Sequence, residues 1–255
     1  MLKIDWDVLF YVILPIVAFL YASVGHGGAS GYLALMALFG FAPSTMKPSA
    51  LVLNILVSFI SYYHYKSIVK INWRLFFALI LGSMPAAFIG GMIQIESAYY
   101  RPILGLLLFI PVVRLLGFYQ IKEENIQAFK IPLAIFIGVI IGFVSGIIGI
   151  GGGIILSPLL LLLGWTNFKE TSITSALFIT LNSIAGLLGL LKNSSAFPFV
   201  SFGLNQNLPF ILMLVLAVGG GSVGAYFGAK KLPIKSLKII LAIVLLMASI
   251  KLLLT

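Results

Sequence analysis

Long apolar runs separated by short polar stretches cover almost the whole chain. They fall into two groups of five, on either side of a polar linker at residues 119–130. The runs are Val8–Val24, Gly28–Ala42, Ser49–Tyr65, Trp73–Ile95 and Pro102–Phe118, then Ile131–Ile148, Gly152–Trp165, Thr174–Leu191, Leu208–Ala229 and Ile234–Leu254. Because lipid satisfies no backbone hydrogen bond, apolar runs of this length are predicted to be helices. The pattern predicts an all-α polytopic membrane protein.

Clusters of glycine interrupt this pattern once in each group. The first lies at Gly25–Gly31 and the second at Gly146–Gly153. Glycine disfavours a helix by about 1 kcal/mol relative to alanine, so several close together are predicted to break it. A broken backbone survives in lipid only where protein covers it or where it lines a polar cavity. Two breaks in matching positions are typical of a transport site.

Short motifs recur in the same order in the two groups, which indicates an internal duplication. The matching stretches are Gly25-x-Gly27-Gly28 with Gly149-x-Gly151-Gly152, Ser49-Ala50-Leu51 with Ser175-Ala176-Leu177, and Gly82-Ser83 with Gly221-Ser222. We therefore predict a first transmembrane repeat at residues 1–118 and a second at 131–255. The fourth segment of each repeat also has small residues at a spacing of four, which predicts close helix packing. These residues are Gly82, Ala86 and Gly90, then Gly220, Gly224 and Gly228.

The second run of each repeat is short for a membrane crossing. About 14 residues at 1.5 Å each reach roughly 21 Å, whereas the hydrocarbon core is about 30 Å thick. Each repeat is therefore predicted to hold a glycine-broken helix or re-entrant hairpin, followed by three spanning helices. An odd number of crossings per repeat inverts the second repeat and gathers most of the 16 Lys and Arg residues on one face. Since these residues mark the cytoplasmic face, we predict two inverted repeats with both termini outside.

The composition excludes a soluble protein. The chain is 61% hydrophobic and 9% charged, whereas soluble domains carry about 25% charged residues. The net charge is +10, but the basic residues are scattered over short loops. This distribution is typical of the loops of membrane proteins rather than of a nucleic-acid-binding surface. The chain has no cysteine, so disulfides and thiolate metal sites are excluded. We predict a multi-pass protein of a prokaryotic inner or plasma membrane, surrounded by the lipid bilayer and without a nucleic-acid partner.

The acidic residues all lie at the N-terminus or in predicted loops. They are Asp5, Asp7, Glu96, Glu123, Glu124 and Glu170. A cation would find no carboxylate partner within the apolar segments, where the remaining polar groups are mostly hydrogen-bond donors. A helix that begins after a glycine break also presents free N–H groups and about half a positive charge. The sequence therefore predicts a site for a small anion between the two breaks.

The predicted anion site consists of the glycine breaks and the polar residues beside them. The substrate-binding candidates are Gly27, Gly28, Ser30, Asn54, Gly151, Gly152, Gly153, Ser175 and Asn182. Two alternatives stay open. The glycines can serve only to kink the helices or to let them pack closely, and Asn54 and Asn182 can serve to join neighbouring helices by hydrogen bonds.

Three basic side chains are candidates for moving a proton or guiding the anion. His26 lies inside the first break, where imidazole can relay a proton or an anion, or cap a helix end. Lys47 and Lys169 each precede the third segment of their repeat and can guide anions at the two mouths of the pathway. An ordinary interfacial lysine would occupy the same positions. Two isolated histidines without nearby acids predict no metal site, and we expect no cofactor.

An enzymatic alternative arises at Gly28-Ala29-Ser30-Gly31, which resembles the Gly-x-Ser-Gly of intramembrane serine proteases. Hydrolysis would need a general base, and the later chain offers only His64, at the end of a segment. We therefore predict that the protein is not an enzyme, with an intramembrane serine hydrolase as one alternative. A passive anion channel with the same donors is the other.

At these residues the chain resembles the TauE/SafE family of sulfite-exporter-type membrane permeases. The resemblance rests on Gly25-His26-Gly27-Gly28, and on Gly146-x-x-Gly149-x-Gly151-Gly152-Gly153 followed by Ser157-Pro158. It implies a secondary transporter that exports or takes up sulfur-containing anions, such as sulfite or organosulfonates, or related organic anions. We expect alternating access by rocking of the repeats, and we include a homodimer as a candidate assembly.

Overall fold

Within the part of the chain that the structure describes, every regular element is a helix. The computed structural model describes residues 6–115, 126–193 and 210–230, together with 246, 249, 250 and 252–254. The longer helices are α1 (Trp6–Ala22), α2 (Ala29–Leu38), α3 (Pro43–Tyr65), α4 (Trp73–Met92), α5 (Ser97–Leu115), α6 (Ile131–Ile148), α7 (Gly153–Leu162), α8 (Phe168–Asn193) and α9 (Phe210–Lys230). Most of the predicted linker 119–130 and of the last segment, Ile234–Leu254, lies outside the described residues.

Five of these helices are long and apolar enough to cross a membrane, namely α3, α4, α6, α8 and α9. Large apolar side chains on them are exposed, for example Leu81 of α4 at 67% and Phe136 of α6 at 61%. Water disfavours so much exposed apolar surface, whereas lipid accepts it. The fold is therefore an all-helical polytopic membrane protein, as the sequence predicts.

Local sequence determines several helix ends. The side chain of Asn72 caps α4 by accepting the N–H of Leu75 at 3.2 Å. Pro43 begins α3, at a position where its missing N–H removes no helical hydrogen bond. Gly149 ends α6 with a φ of 90°, in the left-handed region that favours glycine.

The two glycine-broken segments each fold back as a helical hairpin. In the first hairpin, formed by α1 and α2, the ring of Phe10 stacks on Phe41 with the centroids 5.1 Å apart. In the second hairpin, formed by α6 and α7, Phe129 lies just before α6 and Trp165 just after α7, and their ring centroids are 6.0 Å apart. The two outer ends of each hairpin therefore meet, and the glycine cluster forms its inner tip.

Helices α3 and α8 cross at the centre of the molecule in opposite directions. Asn54 of α3 pairs with Ser183 of α8, and one turn later Ser58 pairs with Thr180. Residue numbers rise along α3 while they fall along α8, so the two helices are antiparallel. The short arm α2 contacts α3 and the short arm α7 contacts α8. The central pair therefore supports both hairpins.

The two hairpins open at opposite faces of the molecule. The first hairpin opens at the face where α3 begins. Gly91 of α4 and Leu190 of α8 lie near Lys47 of α3, which shows that α4 and α8 end at this same face. We call this the Lys47 face. The second hairpin opens at the opposite face, where α8 begins. Each tip therefore points towards the face at which the other hairpin opens.

Each hairpin packs against one helix of the other predicted repeat through a row of glycines, which we call a seam. In the α1–α9 seam, glycines of α9 face the backbone carbonyls of Pro15, Phe19 and Ser23; they are Gly220, Gly224 and Gly228. In the α4–α6 seam the facing glycines are Gly82 and Gly90 of α4 and Gly138, Gly142 and Gly146 of α6. A Cβ at any of them would collide with the backbone of the partner helix. The predicted close packing of the small-residue faces is thus confirmed.

Candidate functional site

Each hairpin tip, residues 23–28 or 149–152, contains glycines in the left-handed region of φ. Gly28 (φ 95°) and Gly152 (φ 78°) directly precede α2 and α7. L side chains rarely adopt this conformation, which favours glycine at both positions. A Cβ at Gly28 would also lie 2.8 Å from the ring of Tyr32. Both short helices therefore begin in the protein interior, with their partly positive N-termini at the tips.

Both tips lie against the side-chain amide of Asn54. Its Oδ1 accepts the N–H of Ala29 at 3.1 Å, and its Nδ2 donates to Ser183 Oγ at 2.9 Å. A Cβ at Gly27 or at Gly151 would collide with this amide. Asn54 is 1% exposed. One buried amide thus contacts the tip of each hairpin and the opposite central helix.

A second set of hydrogen bonds joins the first tip to α7 and α8. His26 Nε2 lies 2.8 Å from Ser157 Oγ, which in turn lies 2.8 Å from Ser175 Oγ. His26 Nδ1 lies 3.0 Å from the Val24 carbonyl oxygen, and Ser157 Oγ lies 2.8 Å from that of Gly153. The Ser157 proton can point to the histidine or to the carbonyl. The network therefore accommodates a neutral imidazole or a protonated one.

Several buried polar atoms in the described part have no hydrogen-bond partner. They include Tyr32 Oη, Ser83 Oγ, Ser145 Oγ, Thr174 Oγ1 and Asn182 Oδ1. Tyr32 lies against Gly28, and Ser145 lies against Gly152, so one such hydroxyl stands beside each tip. An unpaired buried polar group costs about 1–3 kcal/mol, which a hydrogen-bonding ligand would recover.

Lys47 is the one lysine or arginine among the buried residues that the structure describes, with 7% of its surface exposed. Its Nζ lies 3.4 Å from the carbonyl oxygens of Gly91 and Ile93. Its stem contacts the second tip, since a Cβ at Gly149 would lie 2.8 Å from Lys47 Cγ. The described buried residues include no Asp or Glu. The interior therefore favours negative charge over positive charge.

The structure brings most of the predicted site residues together around the tips. Those at the tips or within two hydrogen bonds of them are His26, Gly27, Gly28, Asn54, Gly151, Gly152, Gly153 and Ser175. Ser30 lies in the first turn of α2, where its hydroxyl is 2.7 Å from that of Tyr21. Asn182 donates to the Phe178 carbonyl at 2.9 Å within α8.

The two lysines predicted at the pathway mouths lie in different environments. Lys47 is buried against Gly149 of the second tip, whereas Lys169 is exposed near the start of α8. Another residue of α8, Ser172, contacts the first tip and lies against Gly25. In the described part of the chain, no three His, Asp or Glu side chains are close enough to hold a metal ion.

Several polar residues beside the tips are missing from the sequence-based candidates, among them Tyr32, Ser145 and Ser157. Tyr32 follows Gly28 by four residues, and helical side chains point back towards the N-terminus. Its contact with the tip could therefore have been predicted from the spacing. The bond between Ser157 and His26 joins residues from different hairpins, and no local pattern indicates it.

Comparisons with known proteins give a consistent result. A protein-family model described as "Sulfite exporter TauE/SafE" matches residues 10–252. A probable membrane transporter protein of Sinorhizobium fredii is 36% identical over 93% of this chain and 94% of its own length. Probable membrane transporter proteins of Methanocaldococcus jannaschii and Bacillus subtilis are each 26% identical, over 74% and 89% of this chain and 71% and 92% of their own lengths. No solved structure matches the chain.

Proposed function

The chain belongs to the sulfite exporter TauE/SafE family, and on this basis we propose that it is a secondary transporter of small anions. The observation that carries the proposal is the meeting of both hairpin tips at the buried amide of Asn54. Broken helices that meet between two repeats are typical of the binding sites of secondary transporters. We place the protein in a prokaryotic cell membrane, with sulfite, organosulfonates or related organic anions as substrates.

The arrangement of the helices supports two inverted repeats. The hairpins open at opposite faces, and the equivalent helices α3 and α8 are antiparallel. In each seam the first helix of one repeat packs on the fourth helix of the other: α1 packs on α9, and α6 packs on α4. A two-fold axis in the membrane plane would relate all of these contacts. With such an axis, we expect the substrate to bind between the two tips.

The polar groups at the tips suit an anion. The N-termini of α2 and α7 carry partial positive charge, and the hydroxyls of Tyr32 and Ser145 lie beside them without partners. Charge–dipole attraction is strong where little water screens it. The same tips would repel a cation, which would find no carboxylate among the described buried residues.

His26 is suited to carry a proton together with the anion. Its contact with Ser157 can be kept in both protonation states, because the Ser157 hydroxyl can turn to the Gly153 carbonyl. A protonated imidazole at the first tip would attract the anion, and it would release its proton to the same face as the anion. This coupling would favour proton–anion symport.

A transport role agrees with the surroundings of Ser30 better than hydrolysis does. The Ser30 hydroxyl pairs with the Tyr21 hydroxyl at 2.7 Å, and a phenol is a poor general base near neutral pH. His64, the other histidine of the chain, lies in the last turn of α3. We therefore assign the protein no enzymatic activity.

Alternating access requires that the tips be exposed to each face in turn. The sequence predicts rocking of whole repeats, but the α1–α9 and α4–α6 seams join helices of different repeats with backbones in contact. Rocking would have to break both seams. A smaller movement, in which α2 and α7 shift along α3 and α8, leaves the seams intact. We favour movement of these short arms.

Counterflow in proteoliposomes tests the proposed function. Vesicles with the purified protein are loaded with sulfite, an alkyl sulfonate or a small carboxylate, and the uptake of the labelled anion is measured. We expect saturable uptake that an internal anion stimulates. Asn54→Asp should abolish it, because aspartate still accepts the Ala29 N–H but puts a negative charge between the tips.

Ser61→Ala is the matched control for this variant. Ser61 is buried on the same helix, and its hydroxyl donates at 3.0 Å to the Val57 carbonyl of that helix rather than to a tip. Its removal should leave counterflow within about twofold of the wild type. Unsaturable flux with single-channel currents would support an anion channel instead. Unchanged counterflow in Asn54→Asp would contradict the proposed binding site.

A further inference from the structure

A cavity of about 280 Å³ lies at the Lys47 face, between the starts of α3 and α5 and the ends of α4 and α8. The end of α6, directly before the second hairpin tip, forms its floor. Ile147 lines the cavity, and Tyr100, another lining residue, donates to the Ile148 carbonyl at 2.8 Å. The cavity is therefore separate from the Asn54 amide but adjoins the same tip.

Lys47 is the buried cation of this cavity. Its ammonium lies 3.4 Å from the carbonyl oxygens of Gly91 and Ile93, which is long for such hydrogen bonds. An anion would form shorter and stronger hydrogen bonds with the ammonium than these neutral carbonyls do. Glu96 also lines the cavity, but it is exposed, so water screens its charge more than that of Lys47.

Polar side chains of Ser44, Gln94 and Tyr100 form one part of the remaining wall, and aliphatic side chains form another, namely Ile93, Ile95, Ile147 and Leu190. Pockets for drug-sized molecules measure roughly 300–1,000 Å³, so this cavity suits a smaller ligand. A bare oxyanion would contact Lys47 and leave the aliphatic wall uncovered. A short alkyl chain would cover it and gain about fourfold in affinity for each buried methylene.

The side chains beside the two tips differ in charge. At the second tip Lys47 lies against Gly149, whereas at the first tip Ser172 lies against Gly25. Lys169, one turn before Ser172, is exposed. An anion that approaches a tip therefore meets a buried ammonium at one face and a hydroxyl-bearing residue at the other.

We infer that this cavity is a loading site for an organic anion with a short apolar tail, whose acidic group binds Lys47 beside the second tip. The inference rests on the proposed anion transport. It narrows the substrate class to alkyl sulfonates and alkyl carboxylates. It also implies that the two faces of the protein differ in their affinity for this anion.

Thiol protection tests the loading site, because the chain has no cysteine of its own. Ser44→Cys introduces one thiol into the cavity wall, and Ser67→Cys introduces one beyond the other end of α3 as a matched control. The purified protein in detergent is labelled with a maleimide in the presence of propane-1-sulfonate, methanesulfonate or sulfate. Propane-1-sulfonate should protect Ser44→Cys at a concentration about tenfold below that of methanesulfonate. Labelling of Ser67→Cys should not change.

Variants of Lys47 in the Ser44→Cys background test the role of its charge. Lys47→Gln still offers a donor to the Gly91 and Ile93 carbonyls, so the fold should persist, but protection should need at least tenfold more sulfonate. Lys47→Arg keeps the charge and should remain within about threefold of the wild type. Propylammonium, which has the same tail and the opposite charge, should give no protection.

The outcomes separate this inference from the proposed function. Equal protection by sulfate and propane-1-sulfonate, or protection that survives Lys47→Gln, would overturn the loading site. Counterflow without any protection would overturn it too, while leaving the transport function in place. Protection without counterflow would support the loading site and contradict transport.

Discussion

At the scale of single residues, Asn54 connects parts of the chain that are distant in sequence. Its amide pairs with Ala29 of the first hairpin and Ser183 of α8, and it lies against Gly151 of the second tip. A buried amide left without partners costs about 1–3 kcal/mol, so the first hairpin and α8 are most stable when both lie next to Asn54. Substrate binding and helix joining, the two alternatives that the sequence leaves open, are compatible at this residue.

His26 is the residue at which proton coupling can be tested. In His26→Gln the side-chain amide can still bond to Ser157 but cannot carry a proton. We expect counterflow within about threefold of the wild type, and a loss of at least tenfold in uptake driven by a proton gradient. Wild-type uptake should rise on acidification, because protonated imidazole attracts the anion, and the uptake of the variant should not.

Both measurements use the same proteoliposomes, with and without an imposed pH difference. His26→Leu removes the hydrogen bond as well as the proton and should impair both activities. Gradient-driven uptake that stays intact in His26→Gln would place the coupling proton elsewhere.

At the scale of helices, the seams depend on the absence of side chains at a few positions. Gly142 brings the backbone of α6 into direct contact with that of α4, and Gly224 does the same for α9 and α1. Lipid provides no hydrophobic force between helices, so close backbone contact is a main source of their association. The seams also fix the long arms of the hairpins, α1 and α6. The short arms, α2 and α7, are not part of either seam.

Helix α9 offers a matched pair of glycines to test the seam. In Gly224→Leu the new side chain would collide with the backbone of Phe19, whereas a Cβ at Gly219 meets nothing within 4 Å. We expect Gly224→Leu to destabilise the protein by about 3 kcal/mol or more. Gly219→Leu should be neutral or slightly stabilising, because leucine favours a helix by up to about 1 kcal/mol over glycine.

Thermal unfolding in detergent, followed by the monodisperse fraction in size-exclusion chromatography, measures this difference. Equal melting temperatures for the two variants would show that the α1–α9 contact is not close in solution.

At the scale of the whole molecule, the predicted repeats are interlaced rather than side by side. α1 packs on α9 and α4 packs on α6, while α3 and α8 cross between them. The α1–α9 and α4–α6 seams therefore both join helices of different predicted repeats. This arrangement favours motion of short elements within a common frame over motion of one repeat against the other.

A disulfide across the central pair distinguishes the two kinds of motion. Ser58 Oγ and Thr180 Oγ1 are 2.7 Å apart, and the chain has no other thiol to compete. Oxidation of Ser58→Cys with Thr180→Cys should link α3 to α8, and we expect counterflow to stay within about twofold of the reduced protein. The two single-cysteine variants are the controls. A loss of counterflow that reduction reverses would favour rocking of whole repeats.

The sequence predicts the elements of this fold better than their partners. The helices and both breaks follow from apolar length and clustered glycine, and these local properties predict α6, Gly149 and α7 directly. The pairing of α1 with α9 depends on contacts between distant segments, which no periodicity indicates. For the same reason Asn54 is predictable as a buried polar residue, while its contact with Gly151 is not. The position of Lys47 before the third segment makes it a candidate for guiding anions. Its burial, however, depends on how α4 and α5 pack around it.

The α1–α9 seam has a consequence for biosynthesis. Pro15 meets Gly220, roughly 200 residues later in the chain. At about 5–20 residues per second, the ribosome needs on the order of 10–40 s to deliver the partner of the first helix. During that interval the newly inserted N-terminal hairpin must wait in the bilayer or beside the translocon with one flank uncovered. A nascent chain that stops before α9 would keep that flank bare, which makes it a natural target for membrane quality-control proteases.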